Sequence, residues 1–195
     1  MAPESVRPSK RRLSREDWVG AALEAIARRG LAGVAVEPLA AQLGVTKGSF
    51  YAHFSSRDEL IDAALGRWEE SQGGADLERF VAIEDPAERL RAILLAAVTF
   101  SQSAAPSVHV SLLGELGDER VRRAVDRVND ARIRLLTRSY RQLGLSAQRA
   151  GYRARLAYAT YLGLLLMARE ALDRRPRQRD IARFIAEVES ALATP

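Results

Sequence analysis

Apolar residues recur along this chain at helical intervals almost from end to end. Val19, Ala22, Leu23 and Ile26 fall at i, i+3, i+4 and i+7 with Trp18 beside them, which predicts an amphipathic first helix. Ser14 stands where an N-cap is needed, Glu16 and Asp17 place acidic charge in the first turn, and Arg28 and Arg29 suit the last turn before Gly30. A second helix is expected over Glu37–Leu43, with Pro38 in the first turn where its missing N–H has no partner to lose. Gly44 closes it. Thr46 is expected to cap a third helix by accepting from the backbone N–H of Gly48 or Ser49, and Phe50 and Phe54, four apart, share that helix's buried face. Ser56-Arg57-Asp58-Glu59 reads as a capping box that launches a fourth helix carrying Leu60, Ile61, Ala64, Leu65 and Trp68, with Gly73-Gly74 as its stop.

The remainder reads as helix throughout. Pro86 to about Ser101 is apolar on nearly every side (Leu90, Ile93, Leu94, Leu95, Ala97, Val98, Phe100), which predicts central burial. Ala105-Pro106 breaks it, and a short helix from Ser107 to about Leu113 follows, then a loop over Gly114 to Gly117. Asp118 caps a long helix to about Leu143 with Val121, Ala124, Val128, Ala131 and Leu135 on one face; Gly144 ends it. Ser146 caps another long helix to about Leu172. Arg174 to Arg177 is a basic link, and Asp180 to Leu192 is striped by Ile181, Phe184, Ile185, Val188 and Leu192. No segment alternates with period two, so the expected class is all-α. Met1 to Leu13 is polar, carries two prolines and shows no period, the pattern of a flexible arm. The expected organisation is an arm over 1–13, a reader over 14–55, a connecting helix over 56–72 and a larger helical part over 73–195.

With 195 residues, 47% of them hydrophobic and 28% charged, the chain can bury a substantial core. A net charge of +5 is modest; its placement says more, because Arg7, Lys10, Arg11 and Arg12 precede the first helix against Glu4 alone. There is no cysteine, so no disulfide framework, thiolate metal site or cysteine nucleophile exists, and the two histidines lie far apart. No phosphate-binding glycine loop, Gly-x-Ser-x-Gly elbow or dinucleotide fingerprint is present, which disfavours an enzyme and calls for no cofactor and no metal. The N-terminus lacks the apolar stretch of a signal peptide, and the most apolar run, Tyr161 to Ala168, is too short to cross a bilayer. A soluble, cytoplasmic protein with no membrane partner is expected.

Ala40 to Phe54 has a pattern of its own. A short apolar helix ends at a glycine, turns, and restarts at a threonine, and the second helix exposes Lys47, Gly48, Ser49, Tyr51 and His53. That is a helix-turn-helix whose second helix reads a DNA groove. Lys47 suits phosphate or a guanine edge, Thr46 and Ser49 can donate to phosphates, Tyr51 offers a ring for a thymine methyl and a hydroxyl for phosphate, and Gly48 lets the helix approach DNA closely. His53 is near enough to touch the backbone, with helix packing as its other role. Lys10, Arg11 and Arg12 of the arm are candidates for the minor groove, or simply part of a tail.

Gly30, Leu39-Ala40, Gly44-Val45, Thr46-Lys47-Gly48-Ser49-Phe50-Tyr51, His53-Phe54 and Leu60 together resemble the N-terminal domain of the tetracycline-repressor-like (TetR) family of transcriptional regulators. The resemblance covers roughly Ser14 to Leu65. One departure is Ala35, where the family usually places Thr or Ser as the cap of the second helix.

One reader covers few base pairs, so the chain is expected to dimerise. The line Gly151, Ala154, Ala157, Tyr158, Tyr161, Leu165, Ala168 and the stripe Ile181, Phe184, Ile185, Val188 are the candidate mating surface, and the resemblance implies that the last two helices form a four-helix bundle with their mates. It also implies a small-molecule cavity among the middle helices. Its candidates are Trp68, Phe80, Leu94, Val98, Phe100, His109, Leu112, Leu113 and Tyr158, for each of which core packing is the plainer role. The function expected is a homodimeric repressor that binds a palindromic operator in double-stranded DNA and is released by an unidentified small-molecule effector. A helical protein-interaction adaptor, or an activator of the same fold, is the alternative.

Overall fold

The computed structural model describes residues 13–101, 105–170 and 180–192, and these are helical with no strand among them. The reader comprises α1 (Arg15–Arg29), α2 (Val36–Gln42) and α3 (Lys47–Tyr51). Helix α4 (Arg57–Glu70) leads out of it, followed by α5 (Asp76–Val81), α6 (Pro86–Ser101), α7 (Val108–Leu113), α8 (Glu119–Gln142), α9 (Ala147–Glu170) and α10 (Ile181–Leu192). The predicted starts hold where a side chain caps locally. Ser14 and Asp17 form a reciprocal capping box, and Ser107, Asp118 and Ser146 each accept a backbone N–H of the turn they open.

Two expected caps differ. Thr46 makes no side-chain capping bond; the N–H of Ser49 goes to the Thr46 carbonyl at 3.0 Å. Ser56 accepts from the Glu59 N–H at 3.1 Å, but the Glu59 carboxylate turns back one residue further, onto the N–H and hydroxyl of Ser55, both at 2.8 Å. The box is therefore half made, and the carboxylate fastens the loop ahead of α4 instead.

The expected stop at Gly73-Gly74 is also corrected. The chain stays helical through a π-helical segment, Ser71–Ala75, directly into α5. Tertiary packing outweighs the poor helix propensity of two glycines, because this segment and α5 lie against α8. Helix α6 is less central than its composition suggests: Leu90, Leu94 and Val98 form its buried stripe, whereas Leu95 and Phe100 are 45% and 50% exposed. Its neighbours α8, α9, α10 and α5 bury that stripe and leave the Leu95 and Phe100 side open.

Two buried clusters organise the molecule. The first contains Trp18, Ile26, Leu39, Phe50, Phe54 and Ile61 and runs on through Leu112 of α7 to Val121–Val128 of α8. The reader thus shares one apolar core with the start of the larger part. The second joins α6, α8, α9 and α10 through Leu90, Leu136, Tyr140, Ala154, Tyr158 and Val188. Between reader and body, Arg120 of α8 lies 3.1 Å from Asp58 and 3.5 Å from Asp62 on α4, and Arg127 forks onto Glu69 at 2.6 and 2.7 Å. The Glu115 carboxylate accepts the Leu31 N–H at 3.2 Å just beyond the end of α1.

The α9 line offered as a mating surface lies inside the protomer. Ala154, Ala157 and Leu165 are 0%, 3% and 5% exposed, and Tyr161 is partly buried beside them. Of the α10 stripe, Val188 is buried and Phe184 packs partly against the same cluster. The side chains of Ala168, Ile181 and Ile185 lie outside the described residues.

Candidate nucleic-acid interface and inner cavity

Aromatic packing fixes the recognition helix. Phe50 is fully buried, edge-on to Trp18 of α1 with ring centroids 5.4 Å apart, and stacks on Phe54 at 5.7 Å. The Arg15 guanidinium covers the outer side of Phe54 at 4.5 Å. The corner between α2 and α3 turns at Gly44, whose φ of +69° lies in the left-handed region that a side chain disfavours. The N–H groups of Gly44 and Val45 then return to the carbonyls of Ala41 and Ala40. α2 begins at Ala35 with no side-chain cap, as the departure from the family pattern leads one to expect.

With Phe50 and Phe54 inside, the opposite face of α3 and its flanks is open. Thr46, Lys47, Gly48 and Tyr51 are exposed, and Ser49 and His53 are half-buried. Tyr51 is 57% exposed and its ring leans edge-on against Phe50 at 5.1 Å. A Cβ built on Gly48 would meet only the Thr46 Oγ1, at 3.7 Å, so nothing inside the protomer demands a glycine there. Lys47 Nζ donates to Glu37 Oε1 at 2.9 Å across the α2–α3 corner. Hydrogen bonding with its partner pushes the Lys47 pKa up and the Glu37 pKa down. Both groups are solvated, so the pair is weakly held and exchangeable for a phosphate. The arm residues Lys10, Arg11 and Arg12 lie outside the described residues.

A second feature is a cavity of about 140 Å³ between α5, α6, α8 and α9. Leu94, Phe100 and Tyr158 of the sequence-derived candidates line it, as does Phe80. Trp68, Val98, His109 and Leu112 are buried nearby and Leu113 partly so; none of the five is in its wall. Three polar side chains that sequence reasoning passed over stand in that wall, Gln72, Arg79 and Arg132. Arg132 had a signal: it is four residues after Val128 and three before Leu135, a cation on the apolar stripe of α8.

Arg132 ties three elements together. Its Nη2 donates to Gln72 Oε1 of the π segment at 2.5 Å, and its Nη1 lies 3.3 Å from both His109 Nδ1 on α7 and the Tyr161 hydroxyl on α9. Its guanidinium also sits 5.2 Å from the centre of the Tyr161 ring. An arginine can only donate, so His109 Nδ1 accepts and the ring hydrogen is on Nε2, which is buried without a partner among the described residues. Burial first, and the Arg132 charge second, push the His109 pKa down to about 3, so the ring is neutral. The same ring meets Trp68 of α4 edge-on at 5.6 Å. Tyr158 donates to Asn129 Oδ1, and burial pushes its pKa up to about 12.

Comparison with known proteins bears on both parts. A sequence model described as bacterial regulatory proteins, tetR family, matches residues 19–64, the span from α1 to α4. Among solved structures, SCO4454, a TetR-family transcriptional regulator from Streptomyces coelicolor, superposes with a TM-score of 0.76 at 20% identity, covering 91% of this chain and 87% of that one. NemR of E. coli in its reduced form gives 0.73 at 22% identity over 93% and 97% of the two chains. AibR, solved in complex with isovaleryl coenzyme A and operator DNA, gives 0.68 at 20% identity over 93% and 99%. At these identities the likeness establishes the fold: a helix-turn-helix domain followed by a helical C-terminal part. Residues 19–64 thus form a DNA-binding domain of the tetR family of bacterial regulatory proteins, and the chain as a whole has the fold of a DNA-binding transcriptional regulator.

Proposed function

We propose that this regulator is a homodimeric repressor that grips a palindromic operator with two copies of α3 and is released by a small molecule held in the inner cavity. The observation that carries the DNA-binding half is the division of α3: Phe50 and Phe54 anchor it to Trp18, leaving Lys47, Gly48 and Tyr51 facing solvent together. Lys47, Thr46 and Ser49 would meet phosphates, Tyr51 and Lys47 base edges, Gly48 would permit close approach, and His53 would flank the backbone. Lys10, Arg11 and Arg12 would add contacts from the arm. In domain terms the arm is 1–13, the reader 14–55, the connecting helix 56–72 and the effector and dimerisation part 73–195.

The dimer surface that the helix geometry supports is the outer face of α9. Tyr152, Leu156, Leu166 and Met167 are exposed there at 62%, 52%, 42% and 52%. With Ala159 and Gly163 they fall on one face, opposite the buried Ala154, Ala157 and Leu165. An apolar stripe with a glycine at its middle suits close contact with its own copy about a two-fold axis. AibR, which shares the fold, was solved with operator DNA and isovaleryl coenzyme A, which supports placing both binding functions in one such chain.

Release would run through α4. Its far end is tied to the cavity wall by Gln72 and Arg132, and its near end buries Leu60 and Ile61 in the core that holds Phe50. An effector acts only to the extent that it binds the released geometry better than the DNA-bound one. The test is footprinting on the chain's own upstream DNA together with sedimentation of Leu156→Glu. The expected result is a two-fold symmetric footprint and a monomeric variant with much weaker operator affinity. A dimeric Leu156→Glu would move the interface off α9.

A further inference from the structure

The wall of the cavity has a charge imbalance. Arg79 and Arg132 both line it, whereas no aspartate or glutamate does among the described residues. Elsewhere on α8, Arg120, Arg123, Arg127 and Arg134 each meet a carboxylate within 4.0 Å, and Arg122, Arg138 and Arg141 are exposed to solvent. Arg132 meets none among the described residues: its partners are Gln72, His109 and the Tyr161 hydroxyl, all neutral. A half-buried guanidinium without a counter-ion is costly to hold, and its neutral partners orient it without neutralising it. The rest of the wall is largely apolar, with Leu77, Phe80, Ile93, Leu94, Ala97 and Phe100. The cavity's 140 Å³ compares with the roughly 150 Å³ of an apolar protein cavity that accommodates one benzene.

We propose that the cavity binds a small amphipathic carboxylate, its carboxylate on the Arg132 guanidinium and a body about the size of one aromatic ring against Leu94, Ala97 and Phe100. This rests on the reading of the cavity as the effector site and names the effector's chemical class. The planar fork of arginine fits a carboxylate with two parallel bonds. A monoanion also loses less hydration than a phosphate dianion in so apolar a wall. The site is linked to the reader because a carboxylate on Arg132 competes with the Gln72 carboxamide for Nη2. Binding then frees the π segment that ends α4 from its anchor on α8.

Benzoate, its neutral isostere benzamide, and hexanoate are the probes, with titration calorimetry and operator binding as the two readouts. The expected result is saturable benzoate and hexanoate binding at one per protomer, with benzamide at least about tenfold weaker, the size of one lost charge-assisted pair. Arg132→Met should remove the preference for benzoate over benzamide, and Arg132→Lys should keep part of it. Equal binding of benzoate and benzamide to the unaltered protein would overturn the proposal without recourse to any variant. So would undiminished benzoate binding by a folded Arg132→Met, or no benzoate or hexanoate binding at millimolar concentration. Benzoate that binds through Arg132 yet leaves operator affinity unchanged supports the carboxylate site and refutes the effector reading. Release by other small molecules with no carboxylate binding would do the reverse.

Discussion

His109 makes the stability of this protein depend on pH from about 7 to 5, above the range in which ordinary carboxylates titrate. The ring is buried and neutral, with its pKa lowered from the ordinary 6.5 to about 3 by burial and by Arg132. The groups around it are Arg132 on α8, Trp68 on α4 and Tyr161 on α9, and none is an acid that would welcome a second proton. Above about pH 6.5 both folded and unfolded chains hold a neutral ring, so there is no difference. Between about 6.5 and 3 the unfolded chain binds a proton that the folded chain refuses, and stability falls with falling pH. From pH 7 to pH 5 the loss from this one group is about 2 kcal/mol. His109→Gln keeps an acceptor for Arg132 but does not titrate, so it should abolish that part of the slope. The assay is urea unfolding of both proteins at pH 7 and pH 5, at one protomer concentration because dimerisation couples to folding. The Asp118 carboxyl, held down to about 2 by Arg120, titrates below this window and is common to both proteins. Parallel losses in the two proteins between pH 7 and pH 5 would refute a buried neutral His109.

Two further substitutions probe the reader. Gly48→Ala meets only Thr46 Oγ1 at 3.7 Å within the protomer, so it should stabilise the fold by roughly 0.5–1 kcal/mol while weakening operator binding; undiminished affinity in a gel shift would place Gly48 away from the DNA. Glu37→Gln removes the negative charge that pairs with Lys47 at 2.9 Å and leaves only a neutral acceptor. It should tighten operator binding severalfold at low salt by anisotropy, and weaker binding would instead mean that Glu37 aims Lys47 at its target.

What the sequence disclosed and what it hid divide along a physical line. Helix starts at Ser14, Ser107, Asp118 and Ser146 were legible because a cap is a local interaction between residues two or three apart. The burial of Phe50 and Phe54 was legible from their spacing and from the resemblance. The orientation of α9 was not, because the helix is apolar on both sides. Ala154, Ala157 and Leu165 define one stripe, while Leu156, Leu166 and Met167 define another. Periodicity cannot say which of the two faces a neighbour; only the placement of α6 and α8 decides it. The π segment was hidden for a similar reason. Gly73-Gly74 is a local stop signal, overridden by contacts with α8, nearly sixty residues further along the chain. Arg132 was visible as a charge on an apolar stripe, but that its partners are all neutral is a tertiary fact.

The claim at the centre of this account is that the exposed face of α3 carries the DNA contacts, and salt dependence tests it most directly. Operator affinity of the unaltered protein and of the Lys47→Ala, Tyr51→Phe double variant would be measured over a range of salt concentrations, with circular dichroism and sedimentation as controls. Losing the Lys47 contact to phosphate in both copies of α3 should flatten the slope of log affinity against log salt by about 1.8 and weaken binding throughout, with folding and oligomeric state unchanged. An identical slope and affinity in the folded double variant would contradict the account.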